Sequence, residues 1–153
     1  MLFKLTNPVH FLALGFGSGL IKPAPGTWGT LAALPLYFLL SSLSFRVYIL
    51  VILVMAIAGI WICRKAAEDA GVHDHPSIVW DEIVGFLITM TAVPFEYLNV
   101  LAGFLLFRFF DIVKPWPISF VDKSVHGGTG IMADDILAGV FACLALHSLL
   151  MFF

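Results

Sequence analysis

Long uncharged stretches separated by short charged clusters dominate the chain. No Asp, Glu, Lys or Arg interrupts Thr27–Phe45 or Val47–Cys63, and Ile136–Phe153 repeats the pattern at the C-terminal end. Each run approaches the roughly 20 apolar residues that a helix needs to cross a bilayer. Ile83–Phe95 and Tyr97–Phe107 are shorter. Lengthened by flanking residues, they predict a tight helical hairpin whose turn is marked by Pro94, Glu96 and Asn99. Leu5–Ile21 is also apolar, but Gly15, Gly17 and Gly19 weaken it as a span, and it predicts a partly inserted or interfacial segment. Lys4 precedes this stretch without a convincing cleavage site after it, so it is not read as a signal peptide. The pattern predicts an all-α integral membrane bundle of about four spans plus a short N-terminal segment, one domain over residues 1–153.

Threading four spans from an internal N-terminus gathers Lys4, Lys22, Arg64, Lys65, Arg108, Lys114 and Lys123 on the inside and leaves Arg46 outside. That asymmetry satisfies the positive-inside bias. The same threading puts Asp81, Glu82, Asp111, Asp134 and Asp135 at or near inner helix ends, so the chemistry is expected to face the cytoplasm. Composition supports a membrane setting: 61% of residues are hydrophobic and 12% charged, against roughly 25% charged in soluble domains. A compact body of 153 residues hides only part of that apolar surface, and lipid must solvate the rest. A net charge of -2 offers no basic excess for a nucleic-acid backbone. Cys63 and Cys143 lack the spacing of a disulfide framework or zinc knuckle and read as buried thiols.

Ionisable groups beside apolar helices are costly and are rare unless they face one another, water or a functional pocket. Three clusters qualify. Asp81-Glu82 opens the third run; Arg108, Asp111 and Lys114 fan along one helix face before Pro115 and Pro117; Asp134-Asp135 precedes the last run, with Ala138 and Gly139 small enough for close helix approach. The first and third echo each other, Asp81-Glu82-Ile83-Val84-Gly85 against Asp134-Asp135-Ile136-Leu137-Ala138-Gly139. Like charges about 4 Å apart repel by roughly 4 kcal/mol at an effective dielectric of 20, so five carboxylates can gather only around positive charge. Lys22, Arg108, Lys114 and one divalent ion formally balance them, and an all-oxygen donor set favours Mg²⁺ over zinc. Acids simply favouring helix N-termini would account for a lone Asp, but not for paired acids at two helix starts beside Arg and Lys.

Gly15–Thr30 joins flexible glycines, Lys22, Pro23 and Pro25 to a second glycine turn, and backbone N–H groups in such turns can cradle phosphate oxygens. It is neither a Walker A nor a dinucleotide loop, and alone it reads better as helix-packing glycine. His126–Met132 reads equally as a bend bringing Asp134 and Asp135 to the other acids or as a plain loop. His73-Asp74-His75 reads as a polar loop, since no further His or Cys completes a zinc shell. His10 and His147 are expected to be packing or interfacial residues, and Trp61, Trp80 and Trp116 fit an aromatic belt. No Cys-x5-Arg, Asp-x-Asp-x-Thr or Pro-Ser-Gly-His block is present.

Four ordered blocks carry a family resemblance: Pro25-Gly26-Thr27-x-Gly29-Thr30, Val79-Trp80-Asp81-Glu82-x-x-Gly85, Phe107-Arg108-x-x-Asp111-x-x-Lys114-Pro115-x-Pro117-Ile118, and Gly127-Gly128-x-Gly130-Ile131-Met132-x-Asp134-Asp135-x-x-Ala138-Gly139. Together they resemble phosphatidylglycerophosphatase A over nearly the whole chain. The resemblance implies a bacterial inner-membrane, multi-pass, Mg²⁺-dependent lipid phosphatase that converts phosphatidylglycerophosphate to phosphatidylglycerol and inorganic phosphate. It also implies a helical core shared with soluble-looking members, in which some apolar helices pack around a central one. Asp81, Glu82, Asp111, Asp134 and Asp135 are then expected to hold Mg²⁺ or its waters, one of them activating the attacking water or forming an aspartyl-phosphate. Arg108, Lys114 and Lys22, with Gly26 and Thr27, are expected to hold the phosphate, the three basic residues also offsetting charge that develops on its oxygens, with Lys114 counted among the catalytic residues. Two other classes stay open: a small divalent-cation transporter, which would place its acids near mid-bilayer, and a non-catalytic lipid-binding protein, which has little use for five acids.

Overall fold

The computed structural model describes residues 2–153 and is all-helical among them. Seven α-helices follow in order: α1 (Pro8–Ala13), α2 (Pro25–Leu40), α3 (Phe45–Ala70), α4 (Trp80–Thr89), α5 (Tyr97–Val113), α6 (Ile118–Ser124) and α7 (Gly127–Phe152), with a 3₁₀ turn at Ser18–Leu20. Local chemistry explains many of the boundaries. Pro25 occupies the first turn of α2, where its missing N–H costs nothing. The Ser44 hydroxyl caps α3 by accepting from the Val47 N–H, and Gly71 ends it in the left-handed region at φ 72°. Lys114 turns the chain out of α5 and Pro115 prevents its continuation.

Among the described residues two helices have the length and composition to cross a bilayer, against the four spans expected: α3 and α7, of 26 residues each, with mean hydropathy 2.4 and 2.0. Most of each apolar window is unburied; on α3 the exposed face carries Leu50, Leu53, Val54 and Ile57. The expected hairpin of spans from Ile83 and Tyr97 is corrected on one side. At ten residues α4 rises only about 15 Å, too short to span, and it is the packed centre of the molecule, in contact with α2, α3, α5 and α7. Ile83, Val84, Phe86 and Leu87 on it are wholly buried. Trp80 is buried with them, its indole N–H donating to the Met55 carbonyl at 3.1 Å, so it does not belong to an interfacial belt. Trp61 lies well inside α3 rather than at an end.

The crossing of α4 and α7 is the tightest feature of the core. A Cβ on Gly139 would stand 2.5 Å from the Gly85 carbonyl oxygen, and one on Gly85 would meet the Asp135 carbonyl at 2.8 Å. Only glycine lets the two backbones come so near. The Thr89 hydroxyl donates to the Gly85 carbonyl at 3.0 Å and lies 3.4 Å from that of Gly139. Lipid gives helices little hydrophobic reason to associate, so close backbone packing of this kind has to hold them together.

Candidate active site

The crossing decides where the acids stand. Asp81 and Glu82 occupy the first turn of α4. Asp134 and Asp135 lie about two turns inside α7, not at its start, because the His126–Met132 segment is the beginning of the helix rather than a loop. With Gly85 against Gly139, the two pairs come level. One oxygen from each of Asp81, Glu82 and Asp135 falls within 4.8 Å of the others. The C-terminal end of α5 completes the group. The Arg108 guanidinium donates to an Asp111 oxygen, while Lys114 Nζ stands 2.8 Å from Asp134 Oδ2 and 3.6 Å from Asp111 Oδ1.

These side chains, Arg108 excepted, line a cavity of about 210 Å³ whose rim adds Asp74, His75 and Asp122. Its electrostatics are unbalanced. Seven carboxylates and a single lysine line it, Arg108 joining them only through Asp111, and Asp81 Oδ1, Glu82 Oε2 and Asp135 Oδ2 are buried without a hydrogen-bond partner. Burial pushes the Asp81 and Glu82 carboxyls above the ordinary range, and at Asp81 the charges of Asp135 and Glu82 add to the rise. At Lys114 burial pulls downward, but Asp134, Asp135 and Asp111 outweigh it and keep the ammonium charged. Orphaned carboxylate oxygens cost several kcal/mol when left charged in a low dielectric. Three carboxylates that each carry such an oxygen and each bring one oxygen within 4.8 Å of the others fit a hard divalent cation, and oxygen-only donors suit Mg²⁺.

A family model described as phosphatidylglycerophosphatase A matches residues 11–150. The chain belongs to that family. It is 50% identical over 145 residues to the phosphatidylglycerophosphatase A of Escherichia coli K12, covering 94% of this chain and 84% of that protein. The phosphatidylglycerophosphatase A of Haemophilus influenzae is 48% identical over 148 residues, 95% of this chain and 91% of that protein. No solved structure matches the chain. Membership makes it a phosphatase of phospholipid metabolism and agrees with the membrane setting of its apolar helices.

The residues that the sequence singles out divide in space. Asp81, Glu82, Asp111, Lys114, Asp134 and Asp135 meet in the cavity. Gly26 is close by: a Cβ there would lie 3.1 Å from both Arg108 Nη1 and Glu82 Oε1, so a glycine lets the start of α2 press against the guanidinium. Thr27 sits in the same first turn, half-buried. Lys22 is exposed and does not line the cavity. Asp74, His75 and Asp122 join the cavity without having been expected there, although the first two lie in the His73-Asp74-His75 loop. Asp122 carries a weaker signal, a single acid in the short helix after Pro117. His10 is part of another network: its Nε2 pairs with Asp69 at 2.9 Å and its Nδ1 accepts from the Lys4 N–H, so it fastens the N-terminal segment to α3.

Proposed function

We propose that this protein removes the terminal phosphate of phosphatidylglycerophosphate, using Mg²⁺, at the cytoplasmic face of a bacterial inner membrane. Family membership supports the substrate, and one observation carries the chemistry: three carboxylates, each with a buried oxygen that has no partner, come together beside Arg108 and Lys114.

Asp81, Glu82 and Asp135 would hold the cation. Bound there, it supplies Lewis-acid polarisation of a phosphoryl oxygen and a more acidic water. Arg108 and Lys114 bind the phosphate, Arg108 through the planar fork that suits its oxygens and Lys114 as a point charge. In the resting site both are occupied by carboxylates, Arg108 by Asp111 and Lys114 by Asp134. Those pairs hold the two basic groups beside the acids before the phosphate arrives, so little reorganisation is needed when charge develops. A carboxylate of the cluster accepts the proton of the attacking water, and the glycerol oxygen leaves with a proton from solvent. The basic residues flanking the acids, Arg64, Lys65, Arg108, Lys114 and Lys123, support a cytoplasmic orientation through the positive-inside bias.

The experiment is phosphate release by purified protein from phosphatidylglycerophosphate in mixed micelles, with Mg²⁺ and with chelator. Release that needs Mg²⁺ and disappears in Asp81→Asn, with helicity and melting unchanged, supports the reading. Turnover unaffected by both chelator and Asp81→Asn overturns it.

A further inference from the structure

Along α5, Leu98, Leu101, Leu105, Phe109 and Ile112 are exposed. Their spacing of three and four residues draws one stripe down the helix, and the opposite stripe of Asn99, Gly103, Phe107 and Asp111 is buried. The exposed stripe runs out at Lys114, where the backbone turns left-handed at φ 51° and Pro115 follows. Asp111 and Lys114 therefore stand level with the end of the apolar surface. Beyond the turn, α6 and the residue before Pro117 present two different faces. Ile118 is wholly buried and Asp122 lines the acidic cavity. Trp116 and Phe120 are 78% and 60% exposed, and Lys123 is exposed on the next turn. A tryptophan and a phenylalanine beside a lysine, following directly in the chain on the end of an exposed apolar stripe, suit the headgroup boundary better than water or hydrocarbon.

We propose that α6 is seated in the bilayer interface through Trp116 and Phe120, and that the lipid substrate reaches Lys114 laterally past this segment. The route rests on the lipid-phosphatase reading above; the seating of Trp116 does not. Lateral access explains why the cavity rim includes a residue of so short a helix. The phosphate slides along the headgroup plane to Lys114, and the acyl chains stay against the α5 stripe throughout.

Two readouts test this on the full chain reconstituted in vesicles of phosphatidylethanolamine and phosphatidylglycerol. First, the emission that Trp116→Phe removes should be quenched by lipids brominated near the top of the acyl chain and much less by lipids brominated at its end. Second, the double variant Trp116→Ala, Phe120→Ala should raise KM for long-chain substrate in vesicles about tenfold at nearly constant kcat, the signature of lost ground-state binding. On a short-chain, monomeric form of the same substrate it should match the wild type. The conservative pair Trp116→Tyr, Phe120→Leu should restore vesicle activity. Absence of quenching at every depth overturns the seating, as does loss of that tryptophan's exposure through self-association of the protein. Equal losses on both substrates, or in the conservative pair as well, overturn the route. Absence of wild-type activity on either substrate would instead refute the phosphatase reading and leave the quenching result to decide the seating.

Discussion

Two acidic pairs that look alike in sequence do different work. Asp81-Glu82-Ile83-Val84-Gly85 begins a ten-residue helix buried on all sides; Asp134-Asp135-Ile136-Leu137-Ala138-Gly139 lies inside a helix of 26 residues that is largely unburied. Both put a glycine three or four residues after the acids, and those glycines are where the helices touch. The likeness is therefore a packing requirement as much as a chemical one. The difference lies in partners. Asp81, Glu82 and Asp135 each keep a buried oxygen unpaired, whereas Asp134 is bonded to Lys114. Three of the four acids wait for a cation from outside, and the fourth already has one from the chain.

Removing a waiting acid should have the largest effect. Asp135→Asn should lower kcat/KM by about 10²–10³-fold, the range seen when one preorganised electrostatic contact is lost, and should weaken Mn²⁺ binding followed by electron paramagnetic resonance. Asp81→Asn should match it in both measurements. Unaltered Mn²⁺ affinity in both variants would dissolve the distinction between waiting and satisfied acids. The next largest effect should come from separating the pairs without touching a carboxylate. Gly139→Val places its Cβ against the Gly85 carbonyl and the Ile88 side chain, which calls for a backbone shift costing about 1–3 kcal/mol. Thermal unfolding should move down accordingly, and phosphate release should fall more than tenfold, since a misplacement of about 1 Å is enough for larger losses.

Much of the site is legible in the sequence because expensive residues advertise themselves. Five acids beside apolar runs, with Arg108 and Lys114 on the same stretch of helix, have few bland explanations, and all seven stand at the same end of the bundle. Span counting fails at α4 for a physical reason. A helix that is apolar on every face reads the same whether lipid or protein surrounds it, and only the chain's ends and neighbours distinguish the two cases. The start of α7 is hidden because Gly127, Gly128 and Gly130 suggest a loop, whereas Gly128 instead allows α7 to approach the Ile60 carbonyl of α3. Lys22 enters through charge balance, which carries no direction in space. Asp74 and Asp122 reach the cavity from a loop and a seven-residue helix, where no periodicity points to a destination.

The smallest effect expected is at Asp134, and it sharpens the comparison most. If Asp134 were a fourth cation ligand, Asp134→Asn would behave like Asp135→Asn. Its pairing with Lys114 at 2.8 Å instead lets it hold the ammonium where the phosphate will arrive. In Asp134→Asn the amide oxygen can still accept from Lys114, and Asp111 Oδ1, 3.6 Å away, still attracts it, so the side chain loses charge pairing but not its position. A partly exposed pair of this kind contributes on the order of 1 kcal/mol once solvent screening is allowed for, which corresponds to a loss of about five- to tenfold in kcat/KM. The loss should appear in KM rather than kcat, because Lys114 binds the phosphate in the ground state as well as in the transition state. Mn²⁺ affinity should be unchanged. A decline in Mn²⁺ binding as deep as that of Asp135→Asn would make Asp134 a ligand and merge the two pairs into one function.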